Sequence, residues 1–355
     1  MKVAIIGCGL SGLTCALELE KKGIIPDVFE KDNNVGWAWS EVSYWPNILY
    51  AKIGDQREYL KKVYDIDVKP LTMCHTNILK SPNQQIIIQG NLGYFVPRGK
   101  GNESIENQLI LQLRKTPIQY NTPADYKELS KKYDWVVVAT GIETEARELN
   151  IWEDQGMVRV IQGIAIGNFD PDSVTMYLNT DYAGTGFGRL TPFNSVQAIL
   201  SVYVIGLMNY ETETLFNNFL KTEQLGNLEI LYKLILPPYC NGRVKKFKVD
   251  NILLTGRSAG LAESLIGTGS IEALISGVLA ARAIADNEDY ESSMKPLQNH
   301  INNISSLRKM MAKFTNDDFD KLLSFIGKTG IKQALYNTGI NFVDLFGGIL
   351  NKFQK

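Results

Sequence analysis

Three glycines near the N-terminus, Gly7, Gly9 and Gly12, stand in the spacing G-x-G-x-x-G. Each has a task in holding a pyrophosphate. Gly7 permits a tight turn, Gly9 lets the backbone approach the phosphates, and Gly12 lets a helix pack closely on a strand. The N–H groups that open such a helix, at Leu10, Ser11 and Gly12, lack intrahelical partners, and the positive end of the helix dipole adds to their attraction for phosphate. Glu30, followed by Lys31, comes about 20 residues on, where a carboxylate accepts hydrogen bonds from a ribose 2′-OH. A glycine cluster alone is a weak signal. Here the flanking elements agree with it: Val3 to Ile6 reads as a short buried strand, Leu13, Ala16, Leu17 and Leu19 as a helical face, and Asp27 to Phe29 as a second strand. The spaced glycines and the strand after them argue against a secretory signal, despite Lys2 and the apolar run behind it.

Two later stretches share this character. Asp134 to Gly141 reads as a buried parallel strand ending in Ala-Thr-Gly, and the small residues at Thr140 and Gly141 let the chain pass close to a cofactor. Asp250 to Gly260, containing Gly256 and Arg257, is a third strand and turn. It leads through Ile266-Gly267-Thr268-Gly269-Ser270 into a helix from Ile271 to Ala285. Gly267 and Gly269 free the backbone to approach a ligand, and the helix start at Ser270 faces it. Arg98, beside a helix expected over 103–113, is either a phosphate or ring contact or an ordinary solvated arginine. Trp37, Trp39, Tyr44 and Trp45 form either an apolar patch over a domain junction or a wall beside a flat cofactor ring. The Gly-rich stretch Tyr182 to Pro192, with Phe187, Arg189 and Pro192, is a candidate cavity lining for substrate. No residue declares itself as a catalytic acid; Tyr239, Cys240, Glu263 and Arg189 are the candidates. With only two histidines, His75 and His300, neither a His-rich metal site nor a His-based triad is expected.

The elements that must position these groups fit ordinary globular composition, with 45% hydrophobic and 21% charged residues in 355. A net charge of −1 gives no global field for nucleic acid or an anionic membrane. Four scattered cysteines without a C-x-x-C pair suggest a reducing, cytoplasmic compartment, with Cys8 and Cys15 as small packing residues. No stretch reaches the roughly 18 apolar residues of a spanning helix. Residues 76–96 suggest a hairpin or pair of strands, Ile86–Ile88 and Tyr94–Val96. Residues 156–240 suggest a largely antiparallel sheet broken by a helix at about Glu211 to Thr222. Helices are expected over 289–313, 316–327 and 331–352. The amphipathic face of Ile340 to Phe353 either packs on the substrate domain or lies at a membrane interface. The fold class is α/β (α+β overall): a discontinuous Rossmann-like domain over 1–70, 93–155 and 245–285, an inserted antiparallel sheet domain over 71–92 and 156–244, and C-terminal helices over 286–355.

Taken together, the fingerprint, the Ala-Thr-Gly strand and the third motif resemble the FAD-dependent enzymes of the para-hydroxybenzoate hydroxylase fold, and within them the geranylgeranyl reductase family. That family has Gly-Asp-Ala-Ala-Gly, Pro-x-x-Gly-x-Gly, then a helix with Ser-Gly and Ala-Ala. This chain has Gly256-Arg257-Ser258-Ala259-Gly260, Ser264-Leu265-Ile266-Gly267-Thr268-Gly269, then Ser276-Gly277 and Ala280-Ala281. Gly186 to Pro192 is similar to the family's Gly-Tyr-x-Trp-x-Phe-Pro, and Tyr94 to Arg98 resembles its strand ending in a flavin-contacting arginine. Three positions depart. Arg257 replaces an aspartate that binds the ribityl chain; an arginine accepts no hydrogen bond but can pair with a phosphate. Ser264 replaces a proline, and Arg189 replaces an aromatic residue.

The resemblance implies FAD as cofactor and an oxidoreductase, with reduction of carbon–carbon double bonds in an apolar, isoprenoid or lipid substrate as the leading expectation. A flavin monooxygenase or halogenase, or a non-catalytic protein of the same fold, are the competing ones. The hydroxylases' Asp-Gly motif for NAD(P)H is not visible, Asp134 being followed by Trp135, so a separate electron donor such as ferredoxin or a reductase is implied. A lipid substrate further implies peripheral contact at the inner face of the membrane.

Overall fold

The computed structural model describes residues 1–36, 41–51, 53–328 and 330, with the backbone alone of Tyr239. Trp37, Trp39 and the helix expected over 331–352 lie outside the described residues, as does the side chain of Tyr239. The described residues form three sheets.

The first has six strands. Ile252–Leu254, Trp135–Val138, Val3–Ile6, Asp27–Phe29 and Ile118–Gln119 run parallel in that spatial order, with Lys248–Val249 antiparallel at one edge. Its central strands, Val-Ala-Ile-Ile and Trp-Val-Val-Val, are rich in β-branched residues and buried nearly throughout, as strands covered on both faces must be. Two long helices, Leu10–Lys21 and Ser270–Ala285, pack together against it. Their approach is closer than two ordinary residues would allow: a Cβ on Gly277 would lie 2.1 Å from the Ser11 carbonyl oxygen. Thr14 seals the contact, its hydroxyl donating to the Leu274 carbonyl at 2.9 Å.

The second sheet has seven strands in the order Glu229–Val244, Trp152–Ile166, Gln197–Val204, Phe187–Pro192, Ser173–Tyr177, Thr76–Lys80 and Gln85–Gln89. It is antiparallel except where Ser173–Tyr177 meets Thr76–Lys80. One face, with Ile161, Tyr177, Leu200 and Val202, is buried under Phe216 and Phe219 of helix Thr212–Thr222. The two-residue alternation of strands therefore puts Phe187, Arg189, Thr191, Ser201 and Tyr203 on the opposite face. Of the hairpin or pair of strands expected over 76–96, the structure keeps the two strands and corrects the hairpin. Gln85–Gln89 makes its hairpin with Thr76–Lys80, closed by the turn at Ser81 to Gln84, and not with the strand that follows. That strand, Gly93–Arg98, instead joins Glu41–Pro46 and Thr72–Met73 in a three-stranded sheet. The longest strand, Glu229–Val244, was not anticipated, because Pro237 and Pro238 argue against a strand. They are accommodated at the sheet edge, where the register against Trp152–Ile166 shifts between Val158 and Val160.

Helices Tyr290–Met311 and Asn316–Ile326 follow. Their apolar faces form a cluster with Ile48, Leu79, Ile86, Leu178 and Leu265, so they brace the inserted sheet against the first. Tyr44 and Trp45 are buried in strand Glu41–Pro46, which gives them the packing role. No helix among the described residues is long and apolar enough to cross a membrane.

Candidate cofactor site

The fingerprint glycines divide by what surrounds them. Gly7 adopts φ +98°, and a Cβ there would lie 2.5 Å from the Ala139 carbonyl oxygen, so both conformation and space demand glycine. A Cβ on Gly12 would sit 2.0 Å from the Gly7 carbonyl oxygen. Gly9 differs: nothing stands within 4 Å of an added Cβ. Two glycines thus let the protein pack on itself, while the third opens onto space at the helix start. Gly9 is the N-cap of Leu10–Lys21, and no side chain caps that end, so the first-turn N–H groups keep their capacity to bind an anion. Glu30 closes the same corner. It is 9% exposed, and its carboxylate accepts from the Cys8 N–H at 2.8 Å and the Asp32 N–H at 3.0 Å. A carboxylate with two oxygens keeps acceptor capacity beyond these two bonds. These residues fit the pyrophosphate and ribose of a dinucleotide. Lys31 is exposed. Burial, with the charge of Glu30 adding to it, pushes the Cys8 thiol far up and keeps it a packing group.

The three motifs converge. Ala139 and Thr140 back Gly7, and Gly141 follows in the left-handed region at φ +73°. Thr140 turns its hydroxyl to Glu145 at 2.9 Å. Thr255 donates to the Ser11 hydroxyl at 3.1 Å, and the Gly256 N–H donates to Ser276 at 2.9 Å. Arg257 sits in the short turn Gly256–Ala259 beside them, half-buried. Gly269 is in extended backbone, and its missing Cβ is required by packing, since one would lie 2.6 Å from the Leu261 carbonyl oxygen.

Arg98 is not a solvated surface arginine. Only 11% of its side chain is exposed; Nε donates to Glu106 at 2.7 Å and Nη1 to the Ser270 hydroxyl at 2.8 Å. It therefore ties the three-stranded sheet to the start of helix Ser270–Ala285. Glu106 is fully buried with Oε2 unpartnered, and sequence reasoning missed it. Its one signal was its place in the first turn of a helix eight residues beyond Arg98. Glu263, a candidate acid, proves to be the anchor of the loop before that helix. Its buried carboxylate accepts from the N–H groups of Leu265, Ile266 and Thr268 and from the Thr268 hydroxyl. Burial still outweighs these bonds and raises its pKa. Glu272 and Tyr50, both buried, and the partly exposed His300 make a second polar group: Tyr50 donates to both Glu272 oxygens at 2.8 and 3.0 Å, and His300 Nε2 lies 3.5 Å from Oε1. Nothing in the sequence pattern marked these three as neighbours. Cys240 lies at the other end of the inserted sheet, opposite Met157, with its thiol pKa raised by burial and by Glu143. Phe187, Arg189 and Pro192 lie in one strand of that sheet and, among the described residues, make no hydrogen bond to the fingerprint.

Comparison with known proteins agrees with this geometry. Residues 5–56 match the family described as NAD(P)-binding Rossmann-like domain. Digeranylgeranylglycerophospholipid reductase 1 of Methanosphaera stadtmanae is 25% identical over 177 residues, 46% of this chain and 44% of that protein, so the match spans less than half of that relative's length. Digeranylgeranylglycerophospholipid reductase of Methanosarcina acetivorans is 21% identical over 314 residues, 79% of this chain and 74% of that protein. Among solved structures, a geranylgeranyl bacteriochlorophyll reductase-like protein from Thermoplasma acidophilum superposes with a TM-score of 0.74 at 17% identity, covering 98% of both chains. A triple mutant of a flavin-dependent brominase gives 0.69 at 13% identity, covering 99% of both. At such identities the structures speak for the fold alone. The resemblance carried by the three motifs therefore holds: in sequence this chain is similar to the geranylgeranyl-type reductases, and it shares its α/β fold with them and with a flavin-dependent brominase.

Proposed function

We propose that this chain is an FAD-dependent oxidoreductase that reduces carbon–carbon double bonds in an apolar, isoprenoid-type lipid. The observation that carries the proposal is the open space at Gly9, set before an uncapped helix end and beside the buried Glu30. The two sequence relatives, both named as reductases of a digeranylgeranyl lipid, support the choice of reaction. Bound there, the flavin would supply the hydride chemistry. The chain's own residues bind and orient. The first-turn N–H groups at Leu10, Ser11 and Gly12 hold the pyrophosphate, Glu30 holds the ribose, and Arg257 pairs with a phosphate where the family has a ribityl-binding aspartate. Arg98 and Ser270 fix the loop Gly267–Gly269 on the far side. Electrons come from a separate donor, and the work is done in the cytoplasm, with the lipid met at the membrane's inner face.

The test is the absorbance of the purified protein before and after addition of FAD. Flavin bands that survive desalting are expected; none after FAD addition would sink the proposal. Two variants locate the site. Glu30→Ala is expected to weaken FAD retention at least about tenfold, the loss of one hydrogen bond to a charged acceptor. Gly9→Val fills the open space from a backbone conformation any residue tolerates. It is expected to abolish FAD binding while leaving the thermal midpoint of the flavin-free protein unchanged. Retention at the unsubstituted level in both variants would place the cofactor elsewhere.

A further inference from the structure

Arg189 lies on the face of the seven-stranded sheet turned away from helix Thr212–Thr222, and it is only 6% exposed. A guanidinium taken this far out of water is ordinarily matched by a carboxylate, because desolvating a charge costs several kcal/mol. Arg189 has no such match among the described residues. Its one hydrogen bond runs from Nη2 to the Tyr203 hydroxyl at 2.9 Å, with its guanidinium carbon 5.3 Å from the centre of that ring. Nε has no partner. The cross-strand neighbour Ser201 and the next residue along the same face, Thr191, are also buried, and neither hydroxyl makes a well-formed bond. Phe187 stacks on Tyr203 at 4.5 Å and forms an apolar flank. Burial raises the pKa of the Tyr203 hydroxyl against the pull of Arg189, and the charge of Glu41, on the strand Glu41–Pro46, adds to the rise, but Glu41 makes no ion pair with Arg189. Arg308 is a useful contrast: it is as deeply buried, yet its guanidinium is occupied by the carbonyl and hydroxyl of Thr185, which explains it as a clamp.

A cation and two hydroxyls, all buried and incompletely bonded on one sheet face beside stacked aromatic rings, are a donor set for an anion with an apolar extension. Three adjacent buried polar groups, each with an atom left unbonded, are uncommon in a native fold, where such atoms are nearly all paired. We propose that Arg189, Thr191 and Ser201 form a subsite for a phosphate or carboxylate group carried by an otherwise apolar substrate. The arginine replaces the aromatic residue of the family's Gly-Tyr-x-Trp-x-Phe-Pro motif, so the subsite distinguishes this chain from those that keep the motif. The apolar part of the ligand rests on the function proposed above; the anionic part rests on Arg189 and its neighbours alone.

The experiment is a calorimetric titration of the full-length protein with geranylgeranyl monophosphate, geranylgeraniol and inorganic phosphate. The unsubstituted protein is expected to bind the monophosphate at least about tenfold tighter than the alcohol, the worth of a charge-assisted contact. Arg189→Gln is expected to bring the two within about twofold. Arg189→Lys, which keeps the charge, is expected to retain the preference, so a loss in Arg189→Gln cannot be laid to misfolding. Inorganic phosphate binding that depends on Arg189 would support the anion site and assign it to a free ion rather than a lipid head. The proposal is overturned if the unsubstituted protein shows no preference for the phosphate-bearing probes, or if Arg189→Gln keeps that preference in full. No flavin is needed for this readout. A protein that discriminates through Arg189 yet binds no FAD would refute the oxidoreductase reading and leave the subsite standing.

Discussion

Glu272 is the residue whose surroundings most change its chemistry. Burial pushes its pKa up to about 7, against the lowering effect of the helix backbone and the Tyr50 hydroxyl, and the charge of Glu263 adds to the rise. Because the folded protein binds this proton more tightly than the unfolded chain, the stabilisation is complete below the ordinary value of 4.5 and is lost as pH climbs through about 7. A shift of this size corresponds to a few kcal/mol. Urea unfolding between pH 4.5 and 7.5 is expected to show stability falling with pH across that window, and Glu272→Gln is expected to flatten the fall. The partly exposed His300 lies 3.5 Å from the carboxylate and Tyr50 donates to it, so both stand against the group that holds this proton. A slope that survives the substitution would assign the effect to His300 or another site. Residues of this kind were not legible in the sequence. Glu272 looks like an ordinary acidic residue in a helix's first turn, His300 lies 28 positions away and Tyr50 222, and only the fold brings them together.

At the scale of elements, much was legible. The strand at Val3–Ile6, the helix after the fingerprint, the strand at Trp135–Val138 and the helix before Asp286 all carry their structure in local pattern: continuous β-branched runs, spaced glycines and an apolar helical face. What failed was pairing and the exceptional strand. Gly93–Arg98 pairs with Glu41–Pro46 and not with its nearer neighbour Gln85–Gln89, whose partner is Thr76–Lys80 across the turn at Ser81–Gln84. Glu229–Val244 hides behind two prolines that only an edge and a bulge can absorb. The helix pair shows how a small-residue pattern becomes packing. Ser276-Gly277 was read as part of a family signature; its physical use is to let Ser270–Ala285 touch Leu10–Lys21 at the Ser11 carbonyl and the Thr14 hydroxyl. Gly277→Val would drive a side chain into both. Overpacking of this kind costs about 1–3 kcal/mol or more. A clear drop in the thermal midpoint is expected, with weaker FAD retention because Ser11 must move; an unchanged midpoint would mean the helices separate at no cost.

At the scale of the molecule, one lobe is assembled from the two distant parts of the chain, with the inserted sheet threaded between them. Thr14 bonds to Leu274 across 260 residues, and Thr255 to Ser11 across 244. This arrangement has a consequence for synthesis. At about 5–20 residues per second, the fingerprint helix leaves the ribosome roughly 10–50 s before the helix that must cover it. During that interval the faces carrying Leu10, Leu13 and Leu17, buried in the finished protein, have no partner. The nascent N-terminal third is thus expected to expose apolar surface until the later helix arrives. A fragment of residues 1–150, which lacks the strand Ile252–Leu254 and the helix Ser270–Ala285, is expected to be insoluble or to bind hydrophobic dyes when expressed alone, and a cooperative unfolding transition from it would contradict this. The same delay sets the order of events in synthesis: the glycine corner at Gly7–Gly12 is translated first and is completed among the last.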